Sequence, residues 1–439
     1  MNQFLKNTLT TFLNYIILFI LDTGISVIIA RVLGPEKKGE YSLVILLPTL
    51  LIIFIGLGIG QASIFFASKK KYRLNEIFGI NIIFSALTSL AAVIIGFFLI
   101  KYFAGQLFPQ VGKNYLFLAL LLVPVQLFFT FGNNLFLGLK KVTTYNLFLT
   151  FQLFLFFLFI LSLFFGKYLD IKTIIITEIL SFLITYIFLF IKMNKATNGI
   201  SLITQKTVFK DFLNYGSKIY LVNIISFLHL RIDIFIINLF LNPMAVGLYS
   251  VAVGLAEKIW VFSQSASIVL FPRISAERNE KKLKEFTPIV CRNILFLSFL
   301  ISLVLIVFSR WIIILLYSEK FAAATPALCV LLIGTTAVSA SRILSNDLAG
   351  RNRFRENIYI NIFSVIVNII LNILMIPKFG ILGSAIATAI SYLLMLILRV
   401  FVYAKISKNR ISDVVLIKIS DFKYYRNFFI FLKNKIFST

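Results

Sequence analysis

The sequence is a succession of apolar runs, each about as long as a bilayer is thick. A helix of about 20 nonpolar residues crosses a hydrocarbon core of about 30 Å. Runs of this kind fall at roughly 9–33, 41–67, 77–101, 115–138, 145–166, 171–192, 216–241, 245–271, 289–316, 325–349, 357–376 and 380–404. With 60% hydrophobic residues and 49 Phe in 439, no soluble fold of this size hides that much apolar surface. Hydrocarbon offers no partner for backbone N–H and C=O groups, so spanning segments satisfy them internally as helices. The expectation is an all-α polytopic membrane protein with about 12 transmembrane helices.

The loops differ sharply in charge. Of 43 Lys and Arg against 17 Asp and Glu, most lie in one set of loops: KKKYR (69–73), Lys140 and Lys141, the 192–218 linker, RISAERNEKKLK (273–284), RNRFR (351–355) and the tail after Ala404. Such an excess marks the cytoplasmic side and contacts anionic membrane lipid. Both termini are therefore expected in the cytoplasm, with the chain in the cytoplasmic membrane and no nucleic acid as partner. The opposite loops are short, even around Ala104–Asn114, and leave no room for an outer catalytic domain. With one histidine there is little acid–base chemistry to arrange, and no ligand cluster suggests a metal. An enzyme, such as a membrane glycan polymerase, is disfavoured, and no catalytic residue is assigned. Cys291 and Cys329 suggest no disulfide framework, and no signal-peptide cleavage pattern follows the first run.

FLNY at 12–15 returns at 212–215, and GEYS at 39–42 returns as GLYS at 247–250. Six spans separate the copies, so both halves enter the membrane from the same side. The division is an N-terminal six-helix bundle (1–200), a C-terminal six-helix bundle (201–404) and a basic amphipathic cytoplasmic tail (405–439), with a central cavity between parallel halves. The tail is too charged to span and suits an interfacial helix. GLGIGQ (56–61) supplies small residues for close helix approach or local bending.

Polar residues inside the spans follow helical spacing. Asn357, Asn361, Ser364, Asn368 and Asn372 share one face, as do residues of span one that include Asn14. Such stripes either bond helix to helix or line a wet cavity; the number of stripes favours cavity lining. Charges are rarer. FLHLRIDIFII (227–237) holds Arg231 and Asp233 on nearly opposite helix faces, while His229 shares the face of Asp233. Glu257 and Lys258 lie mid-span, and Arg342, Asp22 and Glu178 complete the deep set. Arg231, Lys258 and Arg342 are either paired with acids or form a basic lining suited to an anion such as phosphate. Asp22, Asp233, Glu257 and Glu178 are the possible charge partners or carriers of coupling protons or sodium. Arg292, Asp347 and Arg399 lie nearer the cytoplasmic ends, where snorkelling or anchoring explains them.

The run from Arg231 to Ser275, with Arg231, Asp233, Gly247-x-Tyr249-Ser250 and Phe271-Pro272-Arg273-x-Ser275, resembles the central signature of Wzx-type polysaccharide and O-antigen flippases. These belong to the multidrug/oligosaccharidyl-lipid/polysaccharide exporter superfamily. ARVLGPEKKGEYSLV (30–44) resembles the family's first loop, and the resemblance covers essentially the whole chain. It implies an alternating-access carrier of undecaprenyl-diphosphate-linked oligosaccharide, with no cofactor and possible association with polysaccharide polymerase machinery. A cation-coupled multidrug exporter of the same superfamily is the alternative. Placing the diphosphate on Arg231, Lys258 and Arg342 goes beyond what the resemblance implies.

Overall fold

The chain is described by a computed structural model over residues 3–202, 206–276, 280–351 and 353–422. Parts of the 192–218 linker, the 273–284 loop and RNRFR, and residues 423–439 of the 405–439 tail expected as an interfacial helix, lie outside the described residues; the described part of that tail after Ser407 holds, as α-helix, only the short Ile411–Val415. The elements in chain order are α1 (Gln3–Ile55), α2 (Ile59–Lys69), α3 (Leu74–Leu107), α4 (Lys113–Ala119), α5 (Leu122–Gly138), α6 (Val142–Gly166), α7 (Ile171–Thr197) and α8 (Lys206–Phe240). They continue as α9 (Pro243–Glu257), α10 (Trp260–Ala276), α11 (Glu280–Val307), α12 (Ser309–Tyr317), α13 (Thr325–Gly350), α14 (Phe354–Ser407) and α15 (Ile411–Val415). No strand occurs among the described residues.

Among the described residues, nine helices are long and apolar enough to cross a membrane, and the bent pair α9–α10 makes a tenth. Two of these candidates are double. In α1, Gly34 adopts φ 72° and ψ 175° immediately before Pro35. In α14, Gly380 adopts φ 58° shortly after Pro377. Only glycine takes such a φ without strain, and proline cannot donate to the preceding turn. Each glycine thus ends one spanning helix and starts the next. Counting both arms of each, the ten candidates give twelve crossings, in line with the hydropathy pattern.

The chain forms two compact units. The first comprises Met1–Val253, Arg310–Ala327 and Ile369–Ser384; the second comprises Gly254–Ser309, Leu328–Asn368 and Ala385–Thr439. In the first, α5 is the hub: it packs against α2, α3 and α7, while α6 runs along α1. Its Leu127, Leu135 and Phe136 are fully buried. The polar stripe of α1 meets α6, where Asn146 donates to the Thr11 hydroxyl at 3.0 Å and the Thr150 hydroxyl donates to Asn14.

The repeated GxYS segments touch each other within this unit. They extend to Pro-x3-Gly-x-Tyr-Ser at 35–42 and 243–250. A Cβ on Gly39 would overlap the Pro243 carbonyl and the Gly247 nitrogen; one on Gly247 would overlap the Pro35 carbonyl and the Gly39 nitrogen. The Ser42 hydroxyl donates to that of Ser250 at 3.3 Å. The glycines meet each other, each proline carbonyl meets the other copy's glycine, and serine meets serine, the reciprocal pattern of a twofold contact. A second close crossing joins Gly58 to the backbone of Gly216. Beyond it Phe65 stacks on Tyr215 and Phe66 on Phe212, with centroids 4.2 and 4.9 Å apart.

In the second unit α11 packs against α10 and α15, over a core that includes Cys291, Ile343, Leu344, Tyr403 and Val414. The segment after Ser407 is held down here. Arg292 donates through Nε and Nη2 to both Asp421 oxygens, at 2.5 and 2.6 Å, and through Nη1 to the Asp413 carbonyl at 2.9 Å. Asp347, fully buried, accepts from Thr287 at 2.5 Å and from Arg351. Arg399 donates to Ser341 and Asn361, each at 2.6 Å. These three charges do not snorkel to water as the sequence suggested: the docked segment and neighbouring helices cover them, so partners replace solvent.

Two outcomes follow. Arg292→Ala leaves a buried carboxylate unpaired and is expected to cost about 3–5 kcal/mol of stability, read from unfolding in mixed micelles. Arg292 holds the Asp421 carboxyl below its ordinary value of 3.8. The pair's stabilisation is therefore complete above that pH and is lost as pH falls through the lower folded value, and the mutant lacks this acid-side loss. In a background without Cys291 and Cys329, Ser42→Cys with Ser250→Cys is expected to form a disulfide within minutes of mild oxidation, because the native hydroxyls lie 3.3 Å apart. An electrophoretic shift reversed by reductant detects it.

Candidate functional site

Polar groups inside the spans form three gatherings, two of them at helix breaks. The first gathering follows the Gly34 break. Pro35 starts the second arm of α1 and places Lys38 one turn later, facing inward and only 9% exposed. Its ammonium lies 5.0 Å from the Tyr41 ring centre, within reach of a cation–π attraction. Asp22 on the first arm and Glu178 on α7 both act on it electrostatically. The Tyr41 hydroxyl makes a long hydrogen bond of 3.5 Å to Glu178 Oε2. Asp22 and Glu178 thus both face the Lys38–Tyr41 pair. Lys38 was missed. Gly-Pro reads as loop, and the signal that finds Lys38 is proline as a first helical residue, with Lys38, Tyr41 and Ser42 following at helical spacing.

The second gathering lies on α8 and α9. Asp233 is buried and accepts from the fully buried Tyr249 hydroxyl at 2.7 Å and from its neighbour's amide, Ile234 N–H, at 2.8 Å. Tyr249 is the tyrosine of GLYS, as Tyr41 is of GEYS; each donates to a carboxylate. Arg231 is half-buried, with Nη1 on the Leu230 carbonyl at 2.9 Å. Asn238, on the stripe of Arg231, is fully buried, and neither of its amide atoms finds a partner among the described residues.

The third gathering, in the second unit, is the α9–α10 junction. The helix was expected to run through Glu257 and Lys258. Instead i→i−3 bonds replace α-helical ones: Lys258 to Leu255, Ile259 to Ala256, Val261 to Lys258 and Phe262 to Ile259, at 3.2 to 3.4 Å. Glu257 and Lys258 are half-buried on this tight turn. Trp260 follows at once, its indole N–H donating to the Thr335 carbonyl at 3.2 Å. The Arg342 guanidinium lies over its ring, 4.2 Å from the centre, and Tyr392 flanks the ring at 6.4 Å. Arg342 is thereby held in place by an aromatic face, worth roughly 0.5–2 kcal/mol as a cation–π pair.

The α14 stripe does share one face, but its four asparagines are engaged with protein. Asn357 donates to the Ser345 carbonyl at 2.9 Å and Asn361 accepts from Arg399. Asn368 donates to Thr388 and Ser391 at 3.3 and 3.2 Å, and Asn372 accepts from Ser384 at 2.7 Å. Ser364 is fully buried, with no partner among the described residues. Asn14 is engaged by Thr150 in the same manner. Their geometry is that of bonds between helices, which in a membrane contribute about 0.6 kcal/mol each on average.

A family model described as polysaccharide biosynthesis protein matches residues 28–326. An uncharacterized membrane protein of Methanocaldococcus jannaschii is 26% identical over 400 residues, covering 87% of this chain and 93% of the relative. The protein named "Probable low-salt glycan biosynthesis flippase Agl15" of Haloferax volcanii is 27% identical over 199 residues, 44% of this chain and 42% of its own length. The capsular polysaccharide biosynthesis protein CapF of Staphylococcus aureus is 22% identical over 173 residues, 38% of this chain and 43% of its own. The chain therefore spans nearly all of the first relative but under half of the other two. Among solved structures, lipid II flippase MurJ in an inward closed conformation superposes with a TM-score of 0.77 at 18% identity, covering 93% of this chain and 89% of MurJ. An inward-facing multidrug resistance MATE transporter gives 0.73 at 16% identity, covering 90% and 95%. The fold is thus the one MurJ and the MATE transporters share, and the chain belongs to the polysaccharide biosynthesis protein family.

Proposed function

We propose that this protein is a flippase. It carries an undecaprenyl-diphosphate-linked oligosaccharide from the inner to the outer leaflet of a bacterial cytoplasmic membrane, for surface polysaccharide assembly. It works by alternating access, with residues 1–200 and 201–404 as the two rocking halves, both termini cytoplasmic, and polymerase machinery receiving the product. Family membership supports glycan traffic. The observation that carries an anionic substrate is Arg342, held over Trp260, with Lys258 at a helix break two residues before that ring. A half-buried guanidinium presented on an aromatic face recognises phosphate oxygens well, because its planar fork pairs with them. In this reading Arg231, Lys258 and Arg342 take the diphosphate, the lipid tail stays in the bilayer, and no chemistry is performed.

Asp22, Glu178, Asp233 and Glu257 are the carboxylates available for proton or sodium coupling. Lys38 beside Asp22 and Glu178 offsets one of their two charges, which suits that cluster less well to a bulky organic cation. This disfavours the multidrug-exporter reading, which the MATE-like fold alone would allow.

The expected outcome is that Arg231→Ala, Lys258→Ala and Arg342→Ala each lower glycan export while protein levels stay normal. Removing one charged contact to a buried anion costs about 2–5 kcal/mol, or roughly thirtyfold or more. Surface glycan staining against membrane immunoblots measures this. Full export by Arg231→Ala and Lys258→Ala removes both from the site, and efflux of cationic dyes with glycan export unchanged favours the exporter. Oxidation of the Ser42→Cys, Ser250→Cys pair is expected to halt export, and reduction to restore it, since alternating access must part the two GxYS segments.

A further inference from the structure

The break between α1 and α2 opens a cavity that the diphosphate reading leaves unused. GLGIGQ stops the helix at Gly56–Gly58, where Gly58 takes φ 66° and packs on Gly216. A cavity of about 360 Å³ remains between the end of α1, α2, α5 and α8, at the small end of ligand pockets, about 300–1,000 Å³. Six hydrogen-bonding side chains line it: Gln61, Thr130, Asn134, Tyr220, Asn223 and Ser226. The rest of the wall is Ile, Leu, Phe and Gly, and no charged residue lines it. Tyr220 donates to the Phe54 carbonyl and Ser226 to that of Val222. Gln61, Thr130, Asn134 and Asn223 form no hydrogen bond with any described residue.

Three half-buried amides and the exposed Thr130 hydroxyl, without partners among the described residues, line one open, partly apolar cavity and point to a ligand by its chemistry. An amide offers a donor and an acceptor side by side, matching a hydroxyl, which is both. Phe131, Phe227 and Tyr220 supply flat apolar surface for the C–H face of a ring. A diphosphate would need cations here, and a cationic drug would need acids. The glycines are what keep the chamber open: a Cβ on Gly60 would run into the Asn134 amide.

We infer that this cavity in the first unit is a subsite for an uncharged sugar ring, distinct from the cationic residues assigned to the diphosphate. The inference rests on the flippase reading and names which part of the substrate this unit grips. Asn223 and Gln61 read hydroxyl groups, and the aromatic wall holds the ring face.

The test uses the full chain in liposomes with Cys291→Ala, Cys329→Ser and Ser226→Cys, so that the single introduced thiol reports on the cavity by its alkylation rate. The probes are undecaprenyl diphosphate carrying one N-acetylglucosamine and undecaprenyl diphosphate without sugar. At ten times its dissociation constant a ligand leaves about a tenth of sites open, so labelling is expected to slow about tenfold with the sugar-bearing probe and not with the bare one. Adding Asn223→Leu is expected to abolish the protection at an unchanged thermal midpoint. Equal protection by both probes overturns the inference, because the cavity then senses lipid or phosphate. No protection while the sugar-bearing lipid is still flipped overturns it alone. Neither protection nor flipping overturns the flippase reading as well.

Discussion

The structure depends on one constraint: in hydrocarbon a peptide group has no partner but another part of the protein. The constraint makes every crossing a helix, and it also makes every interruption of a helix conspicuous. Within the spans the backbone departs from α-helix at Gly34, at Gly56–Gly58, at Leu120–Leu121, at Lys258–Ile259 and at Gly380. The departures are covered in different ways. At Gly56–Gly58 the backbone of Gly216 closes over the break and the Tyr220 hydroxyl takes the Phe54 carbonyl. At Lys258 the chain tightens into i→i−3 bonds. Polar chemistry follows three of the breaks: Lys38 after Gly34, the uncharged cavity at Gly56–Gly58, and Lys258 with Trp260 and Arg342.

Buried polar side chains fall into two kinds. Asparagines on α14 and α1 spend their hydrogen bonds on the next helix, and in doing so specify which helices pair. Asn368 can satisfy its amide only where Thr388 and Ser391 lie, which sets the register of the two arms of α14. Charges in the second unit are likewise matched, Arg292 to Asp421 and Asp347 to Arg351 and Thr287. Isolated charges there would carry a heavy desolvation cost. The cations on Trp260 and at the α9–α10 turn differ in burial. They are half-buried rather than sealed, and one is braced by an aromatic ring.

The repeat has a physical role. Pro-x3-Gly-x-Tyr-Ser restarts a helix after a break and brings a glycine one turn later to the surface that meets its own copy. With no side chain on Gly39 or Gly247, two helices touch backbone to backbone, which is how membrane helices gain dispersion contact without a hydrophobic driving force. A bulkier residue at either position would separate both.

The sequence by itself determined that the chain crosses a membrane repeatedly as helices, the polar faces of α1 and α14, and the repeat. All three rest on local periodicity, and residues within a few turns decide them. GLGIGQ also announced a weak point, because glycine carries its conformational freedom wherever it sits. What each face meets was decided only by the tertiary structure. Nothing near Asn368 in sequence says whether water or Thr388 answers it. Arg292 looks like a snorkelling residue until Asp421, 129 residues away, closes over it. Lys38 looks like loop until Pro35 is seen to restart α1 and turn it inward. Hydropathy reports the solvent a segment prefers; partners are supplied by chain that is distant in sequence, and only packing brings that chain near.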